Sequence, residues 1–231
     1  MISARWLGKV DYLTAWDEQK RCVLAFKEND AEPDQILFVE HPPTYTLGSR
    51  GNLEHLLLND DQLADEGISV HKVNRGGDIT YHGPGQLVAY PIFHLRRCSQ
   101  RQGYAKFSIH QYVRDLEEVI IQAIQPFGLA GWRYPGYTGV WVGSESDPRK
   151  IAAIGIHVSR GISSHGFALN VDPNMTHFKH IIPCGIREHG VTSIRQEINR
   201  PISLEKLLPP VQLAFEQVFK DQIQMLTAEA V

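Results

Sequence analysis

Apolar side chains at Leu13, Trp16, Val23 and Phe26 recur at helical spacing and predict an amphipathic helix over residues 11–27. Two short apolar runs follow, at 36–40 (ILFVE) and 45–47. The helix- and strand-breaking His41-Pro42-Pro43 separates them, so both read as strands. Residues 70–73 and 86–92 (QLVAYPI) predict two more. The strongest helical signal runs over 108–127, where Ile109, Tyr112, Val113, Leu116, Val119, Ile120, Ala123, Ile124 and Phe127 fall on one stripe. Ser108 and Gln111 have capping-box spacing and Gly128 supplies a stop. Apolar segments at 139–143, 150–158 and 166–171, parted by polar turns, predict a β-meander. Beyond Pro183 the chain reads as irregular up to a last helical region. Pro209-Pro210 is expected to split that region into a short turn at 203–208 and a helix carrying Val211, Phe215, Val218 and Phe219.

Strands without regular intervening helices predict an α+β fold with a mixed sheet rather than a doubly wound one. No repeat, low-complexity stretch or linker divides the chain, so residues 1–231 are read as a single domain. The 231 residues can bury a sizeable core, and 42% hydrophobic with 21% charged residues is ordinary globular composition. A formal net charge of −3 gives no global field for nucleic acid or anionic membrane. The N-terminal residues lack the pattern of a secretory signal, and no apolar run approaches the roughly 18 residues of a membrane span. Cys22, Cys98 and Cys184 are widely spaced and odd in number, which is no disulfide framework. A cytoplasmic setting is the simplest expectation.

Three segments concentrate chemistry. RGGDITYHGPGQLVAYP begins at Arg75 and packs four glycines and a proline into eleven residues ahead of a strand. Glycine lets a ligand approach the backbone, and Arg75, Thr80, Tyr81 and His82 add polar groups on what reads as one loop. It is not a P-loop, because no GxxxxGK[ST] is present. KIAAIGIHVSRGISSHGFALNVD opens with Lys150 ahead of Ala152, Ala153 and Gly155. Small strand residues leave room for a flat ring or an acyl chain; a surface lysine at a strand end is the plainer alternative. His157 and His165 read as structural or exposed. HIIPCGIREHG sets Cys184 between Pro183 and Gly185, which would fix and expose a thiol. His177, His180 and His189 match no zinc spacing, so no metal is expected.

These segments together resemble the lipoyl(octanoyl) transferase family, through RGGDITYHGPGQLVAYP, KIAAIGIHV, GFALNV and PCG in that order, with familiar spacings. The resemblance implies transfer of an octanoyl group from acyl carrier protein to one lysine of a lipoyl domain. Acceptors would be 2-oxoacid dehydrogenases and the glycine cleavage H protein. It also implies the fold of biotin and lipoate protein ligases, a mixed sheet flanked by helices with a smaller second sheet. Matched by residue, Cys184 would be the acyl-thioester nucleophile and Lys150 the partner of its thiolate. Arg75, Gly76, Gly77, Asp78, Ile79, Thr80, Tyr81 and His82 would line the acyl substrate, with Ala153, Ile154, Gly155, Gly166, Phe167 and Ala168. No cofactor is implied, and the protein is expected to act as a monomer.

Thioester exchange is close to thermoneutral and needs no ATP, and an ammonium beside a thiol favours the thiolate. Either Lys150 or His82 could accept the proton of the attacking amine. An ATP-dependent lipoate or biotin ligase, a cysteine hydrolase and a binding scaffold are the rivals; the PCG context and the Lys150–Cys184 pair speak against them. Arg50, Arg75, Arg149 and Arg160 flank the site segments and are expected to form a rim that steers an acidic carrier protein.

Overall fold

The computed structural model describes residues 1–29, 31–182 and 189–226. Cys184 therefore lies outside the described residues, together with Pro183 and Gly185.

The chain enters on strand β1 (Ile2–Lys9) and turns into helix α1 (Tyr12–Glu28). Strands β2 (Gln35–Glu40) and β3 (Thr44–Leu47) follow, then helix α2 (Asp60–Asp65) and strands β4 (Ser69–Lys72), β5 (Ile79–His82) and β6 (Gln86–Ile92). Helices α3 (Leu95–Gln102) and α4 (Ile109–Ile124) precede the meander β7 (Val140–Ser144), β8 (Asp147–Ser159) and β9 (Ile162–Asn170). The C-terminal part holds β10 (Gly190–Val191), α5 (Ile194–Ile198), α6 (Leu204–Phe219) and β11 (Ile223–Leu226).

The strands form two mixed sheets, as the α+β reading requires. The larger runs β10-β8-β9-β6-β2-β1-β11, with β7 pairing β8; the smaller runs β4-β3-β5. In the large sheet β1 is parallel to both β2 and β11, while β2–β6, β6–β9 and β8–β9 are antiparallel. Strand alternation sorts its two faces. Ile36, Phe38, Leu87, Ala89, Phe167 and Leu169 pack with Leu116, Ile120, Phe215 and Phe219 of α4 and α6. Leu37, Val39, Val88, Tyr90 and Ala168 pack on the opposite face with Ala15, Cys22 and Phe26 of α1. The small sheet has its own core of Tyr45, Leu47, Leu63, Ile79, Tyr81 and Phe178.

Several sequence expectations are corrected. The buried side of α1 is Tyr12, Ala15, Gln19, Cys22 and Phe26, whereas Leu13 is exposed. Of the four apolar residues that suggested this helix, only Phe26 is fully buried on its packing face. Pro209-Pro210 does not split the last helix: α6 runs through both prolines. The main-chain bonds they forgo would go to the carbonyls of Glu205 and Lys206, on the exposed side, where water can serve them. The buried stripe of Leu207, Val211, Ala214, Phe215 and Phe219 holds the helix together. Ser108 caps α4 by accepting from Gln111 N as expected, and Gly128 ends the following 3-10 turn in the left-handed region. Local periodicity does not mark the short helices α2, α3 and α5 or the strands β1, β10 and β11. Part of the glycine-rich segment is no loop but strand β5.

Candidate active site

The segments 75–82 and 150–168 meet where the small sheet leans on the α1 face of the large one. Arg75, Gly77, Thr80, His82, Ala153, Ile154, Gly155, Gly166, Phe167 and Ala168 line a cavity partly open to solvent. Its polar end is built by residues that sequence reasoning did not assign to the site: Tyr12, Tyr90 and His165, with Val88 beside them. The small residues act as anticipated. Ala153 pairs Ala168 and Gly155 pairs Gly166 across β8–β9, so the strand surface there is shallow and leaves space. A Cβ on Gly155 would lie 2.8 Å from Gly76 O and 3.1 Å from Arg75 Cδ. Only a glycine lets the loop lie flat on the strand, where Gly76 N donates to Ile156 O at 2.8 Å.

Strand alternation divides the residues of β5. Thr80 and His82 face the cavity, whereas Ile79 and Tyr81 turn into the core of the small sheet and do not reach its walls. Gly76 and Asp78 instead border an adjoining open cleft, with Arg50, His55, Tyr137, Thr138 and Lys150. Asp78 accepts from Asn52 N at 2.9 Å and pairs with His55. Arg75 is a buried staple rather than a rim cation. Its Nη2 donates to Thr46 O at 2.6 Å and Asp78 O at 2.8 Å, which clamps the loop onto β3.

Lys150 is buried, at 6% exposure, and not the surface lysine that its strand-end position allowed. Simple alternation would put it on the same face as Ala152, in the helix-covered core. A bulge prevents this: Val140 pairs Ala152 but the next residue, Trp141, pairs Lys150, so Ile151 is extra. Ile151 and Ala152 both enter the core, and the reset parity sends Lys150 to the face of Ala153. There it joins Ala153, Thr80, Gln86, Asn170 and Val191 around a narrow gap. Lys150 thus borders both this gap and the open cleft, and the cleft meets the cavity along Gly77, Ile154 and Gly155. Its ammonium lies over the Trp141 ring at 5.1 Å, a favourable cation–π contact. Gly139 makes room for it, since a Cβ there would stand 2.9 Å from Lys150 Cε. At the far edge of Trp141, the rings of Tyr134 and Tyr137 box His189, with centroids at 5.0 and 5.6 Å.

The cavity walls stay uncharged apart from Arg75. Burial pushes the Tyr12 phenol up to about 12, lowers His165 to about 3 with help from Arg75, and takes His41 behind Tyr12 to about 4. Burial, then His41 and Arg75, holds His82 well below the ordinary imidazole range. The rest of the lining suits an apolar chain. Two of the arginines expected at the rim are internally committed. Arg149 is held bidentately by Glu197 at 2.8 and 3.0 Å and also pairs with Asp147, while Arg75 is buried. Arg160 sits in the β8–β9 turn and does not line the cleft; Arg50 does. Among the described residues no group of three His, Cys, Asp or Glu could hold a metal.

Solved structures share the fold. Lipoate-protein ligase A bound with ATP superposes with a TM-score of 0.74 at 14% identity, covering 98% of this chain and 90% of that one. Biotin protein ligase from Aquifex aeolicus, in complex with biotin and ATP, gives 0.53 at 14%, covering 94% and 70%. The architecture is that of lipoate- and biotin-protein ligase catalytic domains. Residues 11–216 match the lipoyl protein ligase A/B catalytic domain family, and the chain belongs to it. The octanoyltransferase of Cytophaga hutchinsonii is 44% identical over 213 residues, 86% of this chain and 84% of its own. With relatives of this kind, the chain is an acyltransferase.

Proposed function

We propose that the enzyme moves an octanoyl group from the phosphopantetheine thioester of acyl carrier protein to Cys184, and from there to a lysine of a lipoyl domain. The acceptors are lipoyl domains of 2-oxoacid dehydrogenases and the glycine cleavage H protein. The observation that carries this reading is the bulge at Ile151, which turns a buried lysine toward an open cleft that adjoins a largely apolar cavity, in a chain 44% identical to an octanoyltransferase.

In the first half-reaction the Cys184 thiolate attacks the thioester carbonyl. The new C–S bond forms, the bond to pantetheine sulfur breaks, and the departing thiolate takes a proton from the Lys150 ammonium, which leaves that amine neutral for the second half-reaction. The Lys150 ammonium favours the Cys184 thiolate by Coulomb attraction. In the second half-reaction the neutral acceptor amine attacks the enzyme thioester; an amide forms, Cys184 leaves as thiolate, and the amine's proton passes to a base. The octanoyl tail lies along Ala153, Gly155, Gly166 and Ala168, and the arm of the donor lies in the cleft bordered by Gly76 and Gly77. We read the whole chain as one catalytic domain that acts as a monomer in the cytoplasm and needs no cofactor. No helix among the described residues is long and apolar enough to cross a membrane.

Incubation with octanoyl carrier protein, followed by mass spectrometry, should show an octanoyl adduct on Cys184 that a lipoyl domain discharges. The Cys184→Ser variant should fold normally, form no such thioester and lose transfer. Absence of the adduct in the wild-type enzyme overturns the thioester route and favours direct transfer.

A further inference from the structure

A file of buried polar side chains crosses from the small sheet to the main chain at Lys150, and donor–acceptor chemistry fixes its direction. Arg75 has only donors, and Thr46 Oγ1 receives its Nε at 3.1 Å and Nη2 at 2.9 Å. The Thr46 hydroxyl proton must then point to its other neighbour, His82 Nε2, at 3.3 Å. His82 Nε2 is therefore an acceptor, and the ring hydrogen sits on Nδ1, which donates to Gln86 Oε1 at 2.9 Å. Gln86 agrees independently: its Nε2 donates to Tyr81 O at 3.1 Å and to Asn170 Oδ1 at 2.9 Å, which leaves Oε1 to accept. Asn170 Nδ2 donates to Thr192 O at 3.0 Å, and Thr192 N donates to Lys150 O at 2.9 Å. Thr46, His82, Gln86, Asn170 and Thr192 are all buried.

The chain links β3 and β5 of the small sheet to β6 and β9 of the large one, and ends on the strand pair β8–β10. That pair begins where the β8 bulge reorients Lys150. The groups facing the His82 ring leave no place for a second positive charge. Arg75 lies one hydroxyl away, Tyr12 stacks on the ring at 5.5 Å, and His41 meets its edge at 5.7 Å; His165 stands across the cavity.

We propose that His82 is a positioning residue: locked as the Nδ1–H tautomer, it fixes the main chain at Lys150 through Gln86, Asn170 and Thr192, and it takes no proton during transfer. The inference rests on the reading of Lys150 as the partner of the thiolate. It assigns the amine's proton to Lys150 rather than to His82, whose only free lone pair already accepts from Thr46. It also gives Gln86 and Asn170, which hold no titratable group, a part in setting the reactivity of Cys184.

Nitrogen-15 NMR of the histidine-labelled wild-type enzyme should show His82 as a neutral Nδ1–H ring at every pH from 8 down to 6. Observation of the Nε2–H tautomer, or of an imidazolium in that range, overturns the proposal without touching the transfer function, which the Cys184 adduct reports separately. His82→Asn keeps an amide donor near the Nδ1 position and cannot act as a base. It should cost no more than about tenfold in kcat with the pH–rate profile retained, whereas loss of a general base costs about 10²–10⁴-fold. Gln86→Leu cuts the chain without removing an ionisable group. It should shift the pH dependence of Cys184 alkylation to higher pH while thermal unfolding still shows a folded enzyme. An alkylation profile identical to wild type in Gln86→Leu, or a His82→Asn enzyme as inactive as His82→Ala, would sink the proposal.

Discussion

Lowering the pH should unfold this enzyme from the acyl cavity outward, and the buried histidines set the size of the effect. Imidazoles in the unfolded chain titrate near 6.5. Folded His41 and His165 are held at about 4 and about 3, and His82 well below 6.5, chiefly by burial. All three rings are buried and engaged as neutral partners, His41 with Val10 O at 2.7 Å and Tyr90 at 2.8 Å, and His165 with Asn74 at 2.7 Å. The folded state binds these protons less tightly than the unfolded state, so the stability they contribute is complete above pH 6.5 and falls as the pH drops through that value. By about pH 5 each ring charged in the unfolded chain favours unfolding by about 2 kcal/mol, and three together by about 6 kcal/mol. That is comparable to the whole stability of a typical domain, about 5–15 kcal/mol. The depressed carboxyls of Glu118 and Glu197 add their loss only at lower pH, below the ordinary 4.5 of a glutamate. Urea unfolding followed by circular dichroism at successive pH values should show the midpoint falling steeply below about pH 6. A free energy constant to within about 1 kcal/mol between pH 7 and 5 would refute the reasoning, because the three rings would then have to be solvated or already charged in the native state.

Gly139→Ala places a Cβ 2.5 Å from Ala152 O and 2.9 Å from Lys150 Cε at a φ of +120°, so it should cost about 1–3 kcal/mol and displace the ammonium. Alkylation of Cys184 by iodoacetamide should then move to higher pH, and an unmoved profile would uncouple Lys150 from the thiol. Arg149→Glu breaks the bidentate pair with Glu197 and should lower stability by about 1–3 kcal/mol, read from urea midpoints, while affecting carrier-protein and small thioester donors alike. Arg50→Glu, on the cleft wall, should raise KM for the carrier-protein donor selectively and in a salt-dependent way; equal losses with an acyl pantetheine would remove Arg50 from any steering role.

Periodicity along the chain determined the elements that bury one face: α4, β6 and the β7–β9 meander follow from local spacing alone. So did the choice of small residues at Ala153, Gly155, Gly166 and Ala168, because shallow strand surface is a property of side-chain size. The order of strands is not a local property. β1 is flanked by β2 and by β11 from the other end of the chain, a pairing that no window of sequence contains. The walls of the cavity show the same limit. Tyr12 comes from α1, Tyr90 from β6 and His165 from β9, and only the stacking of the small sheet on the large one makes them neighbours. The sharpest case is Lys150. The sequence placed a cation at the head of an apolar strand, yet strict alternation would have buried it under α4 and α6. One extra residue at Ile151 reverses its direction, and a bulge is a matter of how two strands match in length, which only the folded sheet decides.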